Sequence, residues 1–220
     1  NKVDVNDFYQ SAYSLSDEES KIILSLSHHF KTSVDVLFLS LYQLLLATFF
    51  GQKDIVIGLV VNNRLEREGG DRLFGLHLNT IPLRQTVEVS DLAKQIATTA
   101  LKKEQLHAYK AYPYAKIKSD LNFDADVYSC GFNYIHFHIR ESHQEVGSVI
   151  ELPGFEKTNI PLMMDVSKYL NKFSIRLKGH SQFIALETLN RFKDYFSHYI
   201  KQVIENQLYI FKSSYKPILI

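Results

Sequence analysis

Residues 34–50 (VDVLFLSLYQLLLATFF) are apolar on nearly every face of a helix, and residues 54–61 (DIVIGLVV) are an almost unbroken β-branched apolar stretch. A helix without a polar face belongs in an interior. A strand that does not alternate is covered on both sides. Two such elements in succession call for stacked layers, with helices packed on a sheet. The helical run is shorter than the roughly 20 residues a bilayer span needs, and Tyr42 and Gln43 fall in its middle, so a core helix and no membrane association are expected.

Other elements follow from local signals. Residues 7–15 alternate loosely and suggest a strand. Ser16 with Glu19 forms a capping-box pattern that starts a helix over 17–30, and Gly51 is placed to end the apolar helix. Residues 62–75 are charged and glycine-rich, an exposed loop, and 76–87 again suggest strand. Ser90 is positioned to cap a helix over 91–109; Pro113 interrupts, and a short helix ends at Leu121. Strands are expected over 127–139, 148–152 and 160–166. FSIRL (173–177) alternates, ends at Gly179 and should form a hairpin with the strand before it. A last helix over 185–205 carries Leu186, Leu189, Phe192, Phe196, Tyr199 and Ile200 on one stripe. Strands interleaved with long helices predict an α/β layered fold with a mixed sheet over residues 1–206, followed by a tail or a linker to a following module, 207–220.

Composition narrows function by exclusion. Lys plus Arg number 25 against 24 Asp plus Glu, which gives no basic excess for nucleic acid. The single cysteine, Cys130, rules out an internal disulfide, fits a reducing, cytoplasmic setting and is read as a small buried hydrophobe rather than a catalytic thiol. The polar first residues carry no signal-peptide pattern. His136 and His138 share a strand face, with His143 nearby, but no Cys, Asp or Glu completes a convincing set, so no metal is expected. Nucleophile-elbow, phosphate-loop and dinucleotide fingerprints do not occur.

The informative stretch is GQKDIVIGLVVNNR, then an acidic loop, then LFGLHLNTIPLR. A buried strand ending in Asn63-Arg64, followed by Gly75, Asn79, Thr80, Pro82 and Arg84 in a Gly-x-x-x-Asn-Thr-x-Pro-x-Arg pattern, resembles two successive core motifs of the condensation domains of nonribosomal peptide synthetases. Pro113 and Tyr114 match the family's His-Gln-x-x-Pro-Phe segment, although Tyr109 and Lys110 stand where His and Gln are usual. FNYIHF (132–137) looks like another family strand. The resemblance covers about residues 7–206 and concerns the C-terminal half of such a domain.

That resemblance implies a chloramphenicol-acetyltransferase-like layered fold, a mixed β-sheet flanked by helices, forming one of the two halves of a condensation domain and one wall of the channel between them. It implies amide-bond formation between carrier-bound aminoacyl or acyl thioesters. No cofactor is bound directly, because substrates ride on the phosphopantetheine of carrier proteins. Implied partners are the N-terminal half of the domain, peptidyl or acyl carrier proteins and an adenylation domain downstream. The family's His-His-x-x-x-Asp-Gly motif is absent, so no catalytic residue is assigned and the chain alone should be inactive. His28-His29 lacks the Asp and Gly of that motif and reads as a pair of imidazoles at a helix C-terminus.

Asn79, Thr80 and His77 are the candidate channel residues. Asn79 has two open readings, a ligand of substrate or loop backbone, and a group satisfying a strand end. Arg64 and Arg84 are expected to be buried structural donors to loop carbonyls or a carboxylate. Residues 154–164 (GFEKTNIPLMM) sit where the family crosses to its other half. They are expected to leave an apolar edge strand capable of self-association. A non-catalytic carrier-binding or partner-binding module of the same fold is one alternative. A CoA-dependent acyltransferase is another, but it needs a His-x-x-x-Asp signature that does not occur.

Overall fold

The computed structural model describes residues 8–64, 68–72, 74–136, 159–169 and 172–212. In chain order the elements are β1 (Phe8–Ser14), α1 (Asp17–His29), α2 (Val34–Phe50), β2 (Asp54–Asn62), a 3₁₀ turn (Gly70–Arg72), β3 (Leu78–Thr86), α3 (Leu92–His107), α4 (Tyr114–Leu121), β4 (Cys130–His136), β5 (Leu162–Tyr169), β6 (Lys172–His180) and α5 (Leu186–Lys212). The strands form one mixed sheet in the order β1-β6-β5-β4-β2-β3. β4 runs parallel to both β2 and β5, and the remaining pairs are antiparallel.

The local signals act as the sequence implies at most boundaries. Ser16 and Glu19 close a complete capping box, with the Glu19 N–H donating to Ser16 Oγ at 3.1 Å and the Ser16 N–H to Glu19 Oε2 at 2.7 Å. Gly51 ends α2 at φ 65°, a left-handed conformation that favours glycine. α3 departs by one residue. Its cap is Asp91, whose Oδ1 accepts the Lys94 N–H at 2.9 Å, while the Ser90 hydroxyl donates to Glu88 Oε1 at 2.7 Å. Two adjacent capping residues compete for one position, and the carboxylate takes it.

α1, α2, α3 and α5 lie on one face of the sheet. Phe38, Leu41, Tyr42 and Leu46 of α2 are buried there beside Phe132, Phe173, Phe192 and Phe196. Tyr42 is wholly enclosed, its ring 6.1 Å from Phe132 and 6.2 Å from Phe192. Burial raises the Cys130 thiol to about 11. Leu189, Phe192, Phe196 and Ile200 form the buried stripe of α5; Leu186 instead faces solvent, and the helix runs beyond the expected 205 to Lys212.

Among these apolar side chains lies a neutral polar knot. Gln95 Nε2 and Thr99 Oγ1 donate to Gln43 Oε1 at 2.9 and 2.8 Å, the Glu88 N–H donates to Gln95 Oε1 at 2.9 Å, and Gln85 Nε2 reaches Thr99 Oγ1 at 3.3 Å. It joins α2, β3 and α3, and each amide finds partners, as burial demands.

Three strand expectations change. β4 starts at Cys130 rather than 127, because the Val127 N–H is already taken by the Tyr114 hydroxyl. β6 continues through Gly179 to His180, since the missing side chain leaves room for Leu189 and Ile184. The expected apolar edge is not an edge where it is described: Leu162, Met163 and Met164 pair with β4 on one side and β6 on the other, so their backbone is satisfied. Residues 154–158, the expected strand 148–152 and the positions of His138 and His143 lie outside the described residues, as does the His136 side chain. Among the described residues no single helix is long and apolar enough to cross a membrane.

Candidate functional site

The two motifs singled out in the sequence meet at one corner of the sheet, where β2 ends and β3 begins. Asn62 Oδ1 accepts the Arg64 N–H at 2.9 Å, which turns the chain out of β2, and Arg64 Nη1 donates to Gly70 O at 3.1 Å, closing the loop. The Asn63 N–H extends the ladder by donating to His77 O at 2.7 Å. Gly75 takes φ 138°, strained for any side chain, and lets the chain swing back into β3.

Strand alternation then sends the candidate residues apart. Asn79 is on the helix-bearing face and Thr80 on the opposite one. Asn79 Nδ2 donates to both Lys110 O and Tyr112 O at 2.9 Å, while its Oδ1 accepts the Thr80 N–H at 2.9 Å. Those carbonyls belong to the turn between α3 and α4, where the chain passes from one face to the other. Pro113 caps α4 with extended backbone, and Tyr114 stands on the far face with its ring 5.1 Å from Tyr128. Tyr128 in turn packs against Gly58, where a Cβ would meet its ring at 2.4 Å. Asn79 is thus the tether of the corner crossing.

A cleft of about 200 Å³ opens on the helix side of this corner, at the carboxyl ends of β2 and β4. Leu59, Ile81 and Phe132 form its apolar part; Asp35, Lys103, His107, Lys110, Tyr134 and Asn62 surround it. The Asp35 carboxylate is held in an ion pair by Lys103. Burial, reinforced by the Asp35 charge, raises the Tyr134 hydroxyl to about 12. A second cleft of about 290 Å³ lies on the other face, lined by Thr80, Tyr114, Asp126, Tyr128, Asn159 and Ile160. The Tyr128 hydroxyl is raised to about 12 by burial and by Tyr114 and Asp126.

His77 is half-buried beside Gly75. Pro82 sits opposite Gly58 in the ladder. Arg84 grips Asp54 with two nitrogens, Nε to Oδ1 at 3.0 Å and Nη2 to Oδ2 at 2.6 Å. Its partner is a carboxylate as expected, but the pair is exposed, which corrects the reading of Arg84 as buried; Arg84 faces outward on an edge strand. His28 and His29 are exposed at the end of α1. Among the described residues no cluster of three or more His, Cys, Asp or Glu could hold a metal.

The sequence reading missed Asp35, Lys103, His107 and Lys110. Lys103 and His107, spaced i and i+4 on one face of α3, are the signal that could have found part of this set; Lys110 lies beyond the helix end in the following turn.

The condensation-domain family model matches residues 3–212. The chain belongs to the condensation-domain family. Relatives of this condensation-domain chain include malpibaldin synthetase of Mortierella alpina, 28% identical over 137 residues, covering 60% of the chain and 2% of the relative. Gramicidin S synthase 2 of Brevibacillus brevis is 21% identical over 183 residues, covering 80% of the chain and 4% of the relative. The fold matches the condensation domain of the monacolin K polyketide synthase with a TM-score of 0.82 at 19% identity, covering 92% of this chain and 48% of that one. It also matches the first condensation domain of the calcium-dependent antibiotic synthetase, bound to a substrate analogue, with a TM-score of 0.70 at 13% identity, covering 89% and 45%. The chain therefore spans about half the length of these solved structures and a few per cent of the curated relatives. Its layered fold is that of condensation domains.

Proposed function

We propose that this chain is the C-terminal half of a condensation domain and forms one wall of the channel in which a nonribosomal peptide synthetase joins carrier-bound aminoacyl or acyl thioesters. The observation that carries this reading is the pairing of two coverages. The fold aligns over nine-tenths of this chain, yet fills slightly under half of the two condensation domains compared. Amide formation needs an amine and a thioester held together, a group to manage the proton, and shelter from water. The corner supplies a polar surface beside a cleft at the carboxyl ends of the parallel strands β2 and β4. Proton handling belongs to the other half, since His-His-x-x-x-Asp-Gly occurs nowhere in this sequence. The partners are that N-terminal half and two carrier proteins, whose phosphopantetheine arms bring the substrates into a cytoplasmic assembly.

The test combines purified chain with an N-terminal condensation half and two loaded carrier proteins, reading amide product by mass spectrometry. Product is expected only when both halves are present. Product formed by this chain and the carriers alone would sink the proposal.

A further inference from the structure

Among the described residues β3 is the last strand of the sheet, and we propose that Asn79, Thr80 and Pro82 cap its outer edge and keep it so. The ladder itself fixes which groups face outward. At its two ends the Asn63 N–H donates to His77 O and the Val87 N–H to Lys53 O, both at 2.7 Å. In an antiparallel pair, residues bonded to the neighbour alternate with residues that point away. Odd-numbered residues of this strand therefore face β2, and Leu78, Thr80, Pro82, Arg84 and Thr86 turn their backbone to the open edge. Two successive members of that set have no donor to offer. The Thr80 N–H is occupied by Asn79 Oδ1 at 2.9 Å, and Pro82 has no N–H at all. A strand laid along β3 would meet a gap at its centre, with carbonyls left unpaired. The same Asn79 amide holds the α3–α4 turn over the corner through Lys110 O and Tyr112 O.

The setting explains the need. Phe74, Leu76 and Leu78 are exposed apolar side chains on the segment that runs into this free edge. An apolar segment on an open edge invites strand addition, and proteins block it with proline and with occupied donors. The motif residues thereby acquire a role in the sheet alone, which stands whether or not the chain works as a channel wall.

Amide exchange and sedimentation of the full chain test the cap. In the wild type, the Thr80 amide should exchange about tenfold more slowly than the Arg84 amide, the protection of one ordinary hydrogen bond. Asn79→Asp keeps the acceptor on Thr80 while losing the tether, so slow exchange at Thr80 should persist; Asn79→Ala should abolish it. Pro82→Val should associate in a concentration-dependent way, with the amides at positions 82 and 84 gaining protection in the associated form. Three results overturn the cap: equal Thr80 and Arg84 exchange in the wild type, Pro82→Val sedimenting as the wild type with an unprotected amide at position 82, or wild-type association that protects Arg84 and Thr86. If Pro82→Val fails to fold by circular dichroism, Thr80 exchange in the wild type and in Asn79→Asp decides the matter.

Discussion

The two faces of the sheet bury polar groups in different ways. On the face covered by α1, α2, α3 and α5, the polar groups in the apolar core are mainly neutral, and the knot of Gln43, Gln85, Gln95 and Thr99 holds each amide by its neighbours. On the other face a full charge pair is buried: Lys178 Nζ lies 2.7 Å from Asp165 Oδ2, both side chains at most 5% exposed, with Asn133 Nδ2 3.2 Å from the second carboxylate oxygen. The neutral knot loses only uncharged hydrogen bonds when a member is removed. The charged pair leaves an ion without a counter-ion. The helix-bearing face is therefore tolerant and cohesive, whereas the opposite face depends on matched partners.

The sharpest way to break this contrast is Lys178→Met. Stranding Asp165 should cost about 3–5 kcal/mol in urea unfolding, while the double change Asp165→Leu/Lys178→Met should recover most of it, because two apolar side chains remove the unpaired charge. A double variant as unstable as the single would show that the pair contributes shape rather than charge balance.

Raising pH tests the helix-bearing face. The Cys130 thiol has an ordinary value of 9.0 and is raised to about 11 in the fold by burial. Below 9.0 both states hold the proton and its stabilising effect is complete; between 9.0 and about 11 the unfolded chain loses it first, so stability falls. The total loss from this group is on the order of 2–3 kcal/mol, at about 1.4 kcal/mol per pH unit. Urea midpoints between those values should fall less steeply in Cys130→Ala than in the wild type; parallel slopes would remove the thiol from the account.

Gln95→Leu addresses the knot directly. It takes a donor from Gln43 Oε1 and an acceptor from the Glu88 N–H. The expected loss is about 1–3 kcal/mol, the cost of buried groups left without partners. A loss exceeding that of Lys178→Met would reverse the ranking of the two faces.

The helix-bearing face was legible in the sequence because its information is local. Periodicity placed α2, β2 and the stripe of α5, and the capping box set the start of α1. The corner was legible only as a motif. Asn79 acts through Lys110 and Tyr112, more than thirty residues downstream, and nothing in the intervening pattern says that α3 and α4 lie on opposite faces. The charged pair left one trace, Asp165 inside the apolar strand LMMDVSKY, but its partner is a diagonal neighbour on β6 that only register reveals. Ser90 and Asp91 show where cap signals stop discriminating, since adjacent residues of equal propensity differ only in which one reaches the Lys94 N–H.

The smallest effect is expected at Arg84. Its grip on Asp54 has good two-point geometry, but the side chains are 73% and 52% exposed, so water and salt screen most of the attraction. The Arg84 hydrogen bond holds the Asp54 carboxyl below its ordinary value. A lowered carboxyl favours the fold above the ordinary Asp range and loses that contribution as pH falls through the folded value. Arg84→Ala should therefore lower the melting temperature slightly at neutral pH and low salt. The difference from wild type should vanish in molar salt and again in acid, where Asp54 is protonated in both proteins. A loss that survives both conditions would mean that the edge of β3 relies on this pair in a way exposure does not allow, and would place the charge-dependent part of the sheet at its rim as well as on its buried face.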